Sequence, residues 1–141
     1  MMPTDTELRA IYEATKTIAV VGASSDPSKP GHSIPAYLQS QGFRIVPVSP
    51  RGGELFGEKV ATSLSETEEP VDVVDVFRPA EEAPGIARDA VAIGAKALWL
   101  QTGVLSEEAA EIARKGGLQV VMDMCMGMTH ERLGLGPGPD D

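Results

Sequence analysis

Aromatic side chains are scarce in this chain of 141 residues: Phe, Tyr and Trp together make up 4%. A core must therefore be built from Val, Ile, Leu, Ala and Met, which suits buried parallel strands covered by helices. Cysteine occurs once, at Cys125. That excludes an intramolecular disulfide framework and a Cys-only zinc site, and it points to a reducing cytoplasm. Positive charge is short as well. Twelve Lys and Arg face 21 Asp and Glu, for a net charge of −9. General binding to nucleic acid or to an anionic membrane needs a positive field and is disfavoured. An anionic ligand would have to be held by a local cluster of donors. The first nine residues are polar and acidic with no apolar run behind them, so neither a signal peptide nor a membrane span is expected.

Apolar residues amount to 42%, enough for one packed core. The length fits one domain, expected over 1–134, with a flexible tail of Gly, Pro and Asp at 135–141. Thr4 and Glu7 have capping-box spacing, and Leu8, Ile11 and Tyr12 follow at helical spacing, which predicts a helix over 4–15. Five strands are expected at 17–21 (TIAVV), 43–48 (FRIVPV), 71–77 (VDVVDVF), 97–100 (ALWL) and 118–122 (LQVVM). Pro47 puts the second at an edge or ends its pairing early. Helical stretches separate them. One carries Ile34, Tyr37 and Leu38 and stops at Gly42. Another opens irregularly at Pro79 to Gly85 and ends at Gly94. A third is capped by Ser106 and ends at Gly116 and Gly117. Such alternation predicts an α/β fold, a doubly wound five-stranded parallel sheet with helices on both faces. The expected strand order is 3-2-1-4-5, with the switch point between strands one and four.

Open α/β sheets bind ligands outside the carboxyl ends of their strands. Strand one is followed there by Gly22, Ala23, Ser24, Ser25, Lys29, Gly31, His32 and Ser33. Strand two is followed by Ser49, Pro50, Arg51 and two glycines, strand three by Arg78 and Pro79, and strand four by Gln101, Thr102 and Gly103. Small residues let backbone N–H groups approach a phosphate, and the cations add charge-assisted bonds. Ordinary turn chemistry uses the same residue types. The dinucleotide fingerprint G-x-G-x-x-G is absent. Strand two also ends on Ser49-Pro50-Arg51 in place of the acidic residue that an NAD ribose wants. These residues favour a phosphorylated adenosine ligand other than NAD, and they leave NADP and coenzyme A (CoA) both open.

Five segments decide between them by likeness: IAVVGASSDPSKPGHSIPAYL (18–38), IVPVSPRGGELFGEKVATSL (45–64), VDVVDVFRPAEEAP (71–84), ALWLQTGV (97–104) and VVMDMCMGMTHERL (120–133). Together they resemble the small CoA-binding proteins, relatives of the nucleotide-binding domain of the succinyl-CoA synthetase α subunit. The resemblance implies a Rossmann-like fold with CoA across the strand ends. Gly22, Ala23, Ser24, Lys29 and His32 would meet the pyrophosphate. Ser49, Pro50 and Arg51 would border the adenine ribose and its phosphate, and Phe77, Arg78 and Pro79 would flank the adenine or the linker. Gln101, Thr102 and Gly103 would lie near the pantetheine. The synthetases' phosphorylated-histidine segment has no match here, so ligase activity is not implied, and a carrier, sensor or accessory module is expected. No catalytic residue is assigned. A homodimer or a protein partner remains open.

Cys125 and His130, five residues apart in MCMGMTH, could form a reactive pair or a thiol that exchanges with the coenzyme. The competing expectation is a buried cysteine among methionines and a histidine lining a turn. An NADP-dependent oxidoreductase or a thiol-exchange enzyme using Cys125 is the alternative function. His32, Cys125 and His130 lack metal-ligand spacing. Asp72 and Asp75 fall on opposite strand faces and make no carboxylate pair. The alternating Met122, Met124, Met126 and Met128 read as core and turn contacts.

Overall fold

The computed structural model describes residues 2–137. Helix α1 (Asp5–Glu13) starts with the expected capping box. The Glu7 N–H donates to Thr4 Oγ1 at 3.1 Å, and the Thr4 N–H donates to Glu7 Oε1 at 2.8 Å. Then follow β1 (Thr17–Val21), α2 (Pro30–Ser40), β2 (Arg44–Val48), the short strands β3 (Glu54–Leu55) and β4 (Glu58–Lys59), and β5 (Val73–Val76). The chain continues through α3 (Ala83–Ala92), β6 (Ala97–Leu100), α4 (Glu107–Lys115), β7 (Gln119–Val121) and α5 (Met126–Arg132). Among the described residues no helix is long and apolar enough to cross a membrane.

The five-stranded sheet is parallel throughout and ordered β2-β1-β5-β6-β7. It carries a separate apolar cluster on each face. One joins Ile18, Val20, Val73 and Trp99 to α1, α2 and α5, and the other joins Ala19, Val74, Leu98 and Leu100 to α3 and α4. The order corrects the expected 3-2-1-4-5. The third long strand, β5, returns to the free side of β1, so the switch point lies between β1 and β5. Pro47 supplies the reason. On the outer side of β2 its carbonyl accepts from the Ala61 N–H at 3.0 Å, and its ring nitrogen has no hydrogen to offer a further strand. A single bridge from Val48 to Ala61 closes that edge.

Three further differences have local causes. Helix α2 begins four residues before its apolar face, because Pro30 presets the first helical turn. Residues 54–59 form the β3–β4 hairpin instead of a loop, with Phe56 and Gly57 at positive φ in its turn. Arg44 ties the hairpin to β2 by pairing with Glu58. The segment after β7 forms α5, capped by Cys125 Sγ, which accepts from the Met128 N–H at 3.5 Å. Leu135 packs against the first apolar cluster. Gly138 to Asp141, the rest of the expected tail, lie outside the described residues.

Candidate functional site

The strand ends are stitched into one rim by hydrogen bonds that continue the ladders past the strands. Gly22 N–H donates to Val48 O, Phe77 N–H to Val21 O, Gln101 N–H to Val76 O and Met124 N–H to Leu100 O, at 2.8–3.3 Å. The segments that follow β1, β2, β5 and β6 therefore share one edge of the sheet, and every expected site residue belongs to them or to the first turn of α2. Two glycines bring loop and helix together. A Cβ on Gly22, whose φ is +92°, would lie 2.9 Å from Arg78 Cδ and 3.0 Å from Phe77 O. A Cβ on Gly31 would lie 2.7 Å from Gly22 O. Only glycine lets β1, β5 and the start of α2 approach this closely.

Loop 22–33 folds onto that helix start. Ser24 N–H donates to Gly31 O at 3.1 Å, and Ser24 O accepts from His32 Nδ1 at 2.7 Å. The second bond fixes the proton on Nδ1 and leaves Nε2 of a neutral His32 as an acceptor. Among the described residues the N–H groups of Ala23, Ser25 and Gly31 have no protein acceptor. Free amides beside a helix N-terminus are the donor set that a phosphate takes. Lys29, at the N-cap of α2, and Arg51 are exposed and have no ion-pair partner among the described residues. Arg78 is different: Glu82 binds it through two contacts, 3.1 and 2.7 Å long, and holds its guanidinium above the ordinary value.

Between these loops lies a groove of about 220 Å³, lined by Gly22, Ser49, Pro50, Arg78, Thr62, Ser63, Leu64 and Ile86 among others. That volume is below the usual range for a whole drug-sized ligand, so it suits one nucleoside-sized piece. Thr62 to Leu64 and Ile86 carry no sequence signal for this role and arrive through tertiary folding. A larger cleft, about 430 Å³, lies away from the rim beside Met2, Ile11 and Gln119. It contains none of the expected site residues. The His32 ring packs on Phe56 at 5.0 Å between centroids, so the β3–β4 hairpin covers the start of α2. Thr102 and Gly103 are exposed beyond β6, and Gly103 N–H donates to Asp123 Oδ1 at 2.7 Å. Gln101 is buried and donates from Nε2 to Asp75 Oδ1.

Cys125 and His130 are engaged separately. His130 is buried and shares a 2.9 Å hydrogen bond with the Tyr37 hydroxyl. The rings of Tyr12, Tyr37 and Phe43 surround it edge-on at 5.4–5.6 Å. Burial holds its pKa below the ordinary value. Half-buried Cys125 caps α5. Asp72, at the opposite end of β5 from the rim, accepts from the Lys16 and Thr17 N–H groups.

The family model described as a CoA binding domain matches residues 16–131. The chain belongs to the CoA binding domain family. A Thermus thermophilus protein solved as cell-free ID.343 is 44% identical and superposes with a TM-score of 0.89, over 93% of this chain and 99% of that one. YneT of Bacillus subtilis is 37% identical over 128 residues, 91% of this chain and 95% of that protein. The ADP-forming acetate–CoA ligase of Methanocaldococcus jannaschii is 26% identical over 139 residues, 93% of this chain. The match covers only 20% of that ligase, so this CoA binding domain corresponds to one module of it. The likeness drawn from the five sequence segments is thereby borne out, as is the Rossmann-like parallel sheet.

Proposed function

We propose that this CoA binding domain holds CoA or an acyl-CoA along the strand-end rim and works as a carrier, sensor or accessory module. The observation that carries the reading is the loop 22–33 with the start of α2: three uncommitted N–H groups and the Lys29 ammonium gathered beside the His32 ring where Gly22 and Gly31 draw the backbone close. The pyrophosphate would take these donors. Ser49, Pro50 and Arg51 would border the ribose and its 3′-phosphate at the groove, with Phe77, Arg78 and Pro79 along the adenine side. Gln101, Thr102 and Gly103 would meet the pantetheine arm. When bound, CoA supplies a thiol for carrying acyl groups. The chain's own residues bind and orient it. The separate engagement of Cys125 and His130 favours binding over thiol chemistry, because the imidazole that would activate the thiol is bonded to Tyr37.

Titration calorimetry with CoA and 3′-dephospho-CoA tests this. Wild type is expected to prefer CoA. Arg51→Glu should weaken CoA at least tenfold, about 1.4 kcal/mol, and leave dephospho-CoA nearly unchanged. Absence of binding to either ligand overturns the assignment, and equal loss for both removes the role of Arg51.

A further inference from the structure

Asp75 is the anomaly of the interior. It lies on the central strand β5, between Val20 of β1 and Trp99 of β6, fully buried on an otherwise apolar face. One oxygen accepts from Gln101 Nε2. The other, Oδ2, is the one sealed side-chain polar atom without a partner among the described residues. A half-satisfied carboxyl group is costly there, and a valine would fit the strand without that cost. Its side-chain hydrogen-bond partner among the described residues is Gln101, which directly follows β6 and precedes exposed Thr102 and Gly103. Among the described residues Gln101 Oε1 has no protein donor, and it is not sealed, so the oxygen keeps some access to solvent where β6 ends.

We propose that Asp75 is a positioning residue for the ligand's arm: by accepting from Gln101 Nε2 it turns the Gln101 oxygen to the rim, where that oxygen receives a secondary-amide N–H of the ligand. The inference rests on the CoA reading, because the pantetheine arm is the part of CoA that carries such amides. An ionised carboxylate can only accept, so it demands the amide nitrogen. A protonated carboxyl can donate to Oε1 instead, which turns the amide round and offers the ligand N–H groups that repel its own. Burial pushes Asp75 up to about 7. Of the titratable groups on the elements packed over this face, Tyr12 of α1, Tyr37 of α2, and Cys125 and His130 at α5 lie buried or half-buried, His32 of α2 is turned to the Ser24 carbonyl, and Asp5, Glu7, Arg9, Glu13, Glu131 and Arg132 are exposed. Tyr12 is itself held in its neutral form by burial, and burial lowers His130, so neither places a positive charge beside Asp75 near neutral pH.

The test is calorimetry with CoA and with adenosine 3′,5′-bisphosphate, which lacks the arm, on wild type, Asp75→Asn, Asp75→Val and Gln101→Ala. Asp75→Val and Gln101→Ala should each weaken CoA about tenfold and leave the bisphosphate unchanged, and the double variant should lose no more than either alone. In wild type the advantage of CoA over the bisphosphate should shrink as pH falls from 8 to 6. In Asp75→Asn, which keeps the shape but cannot titrate, it should be flat. This arm stays readable if the valine variant misfolds. If wild type binds neither ligand, the CoA reading falls and takes this one with it. If wild type binds both and the Asp75 variants keep its CoA preference and pH profile, or lose both ligands alike, positioning alone is overturned.

Discussion

At the scale of single residues, the rim depends on two missing side chains. Gly31 is in the first turn of α2, where alanine is favoured over glycine by about 1 kcal/mol. Its Cβ, however, would meet the Gly22 carbonyl oxygen at 2.7 Å, and that atom belongs to a backbone fixed by β1. The clash should win. Gly31→Ala is expected to lower the thermal midpoint by the equivalent of about 1–3 kcal/mol and to weaken CoA binding, measured by calorimetry and a melt. A raised midpoint would show that α2 is free to shift. The glycines, Lys29, His32 and Arg51 were legible as candidates because chemistry-bearing residues after parallel strands must share an edge. Asp75 was not. In the run VDVVDVF it could be tested only as half of a carboxylate pair, and the signal that remained was a lone charge in a strand apolar on both faces.

At the scale of elements, α1 is fastened to α5 by a buried hydrogen bond within an apolar interface and by the exposed Asp5–Arg132 ion pair outside it. The Tyr12 hydroxyl donates to Met126 O at 2.6 Å, and its ring packs at 5.4–6.3 Å from Phe43, Trp99 and His130. Tyr12→Phe keeps the ring packing and removes only the bond. Stability should fall by about 1 kcal/mol, read as a lower urea midpoint at constant m-value. An unchanged midpoint would mean that water or the helix itself satisfies Met126 equally well. The long elements were readable from caps and apolar periodicity, as in Thr4 with Glu7 and Ser106 before α4. The β3–β4 hairpin and α5 were not. The hairpin strands are two residues each, too short for a period. Helix α5 spans seven residues, with methionines and a glycine that carry no clear amphipathic pattern.

At the scale of the whole molecule, the buried carboxyl group couples stability to pH. The folded-state pKa of Asp75, about 7, exceeds its unfolded value near 3.9. The folded protein therefore holds the extra proton, and stability from this group is complete below about pH 4. It declines as pH rises and is gone above about 7. His130 acts oppositely: its lowered pKa gives stability above its unfolded value near 6.5, lost on acidification. A difference measurement separates the two. The melting temperature of Asp75→Asn minus that of wild type should widen between pH 4.5 and 7.5 and then level. A constant difference would show that Asp75 does not change protonation over this range.

The sequence by itself determined the class of fold and the edge on which the candidate site residues gather. Alternating strands and helices dictate a parallel sheet but leave its strand order open, and the loops inherit their chemistry from local composition. Strand order, the groove wall from Thr62 to Leu64, and the joining of Asp75 to Gln101 were decided only in the tertiary structure. Each depends on contacts between residues far apart in the chain, which no local period or spacing encodes. At the outer edge of β2, the missing N–H of Pro47 and the bridge to Ala61 turn β5 to the other side of β1, and that choice places the central carboxyl group beneath the rim.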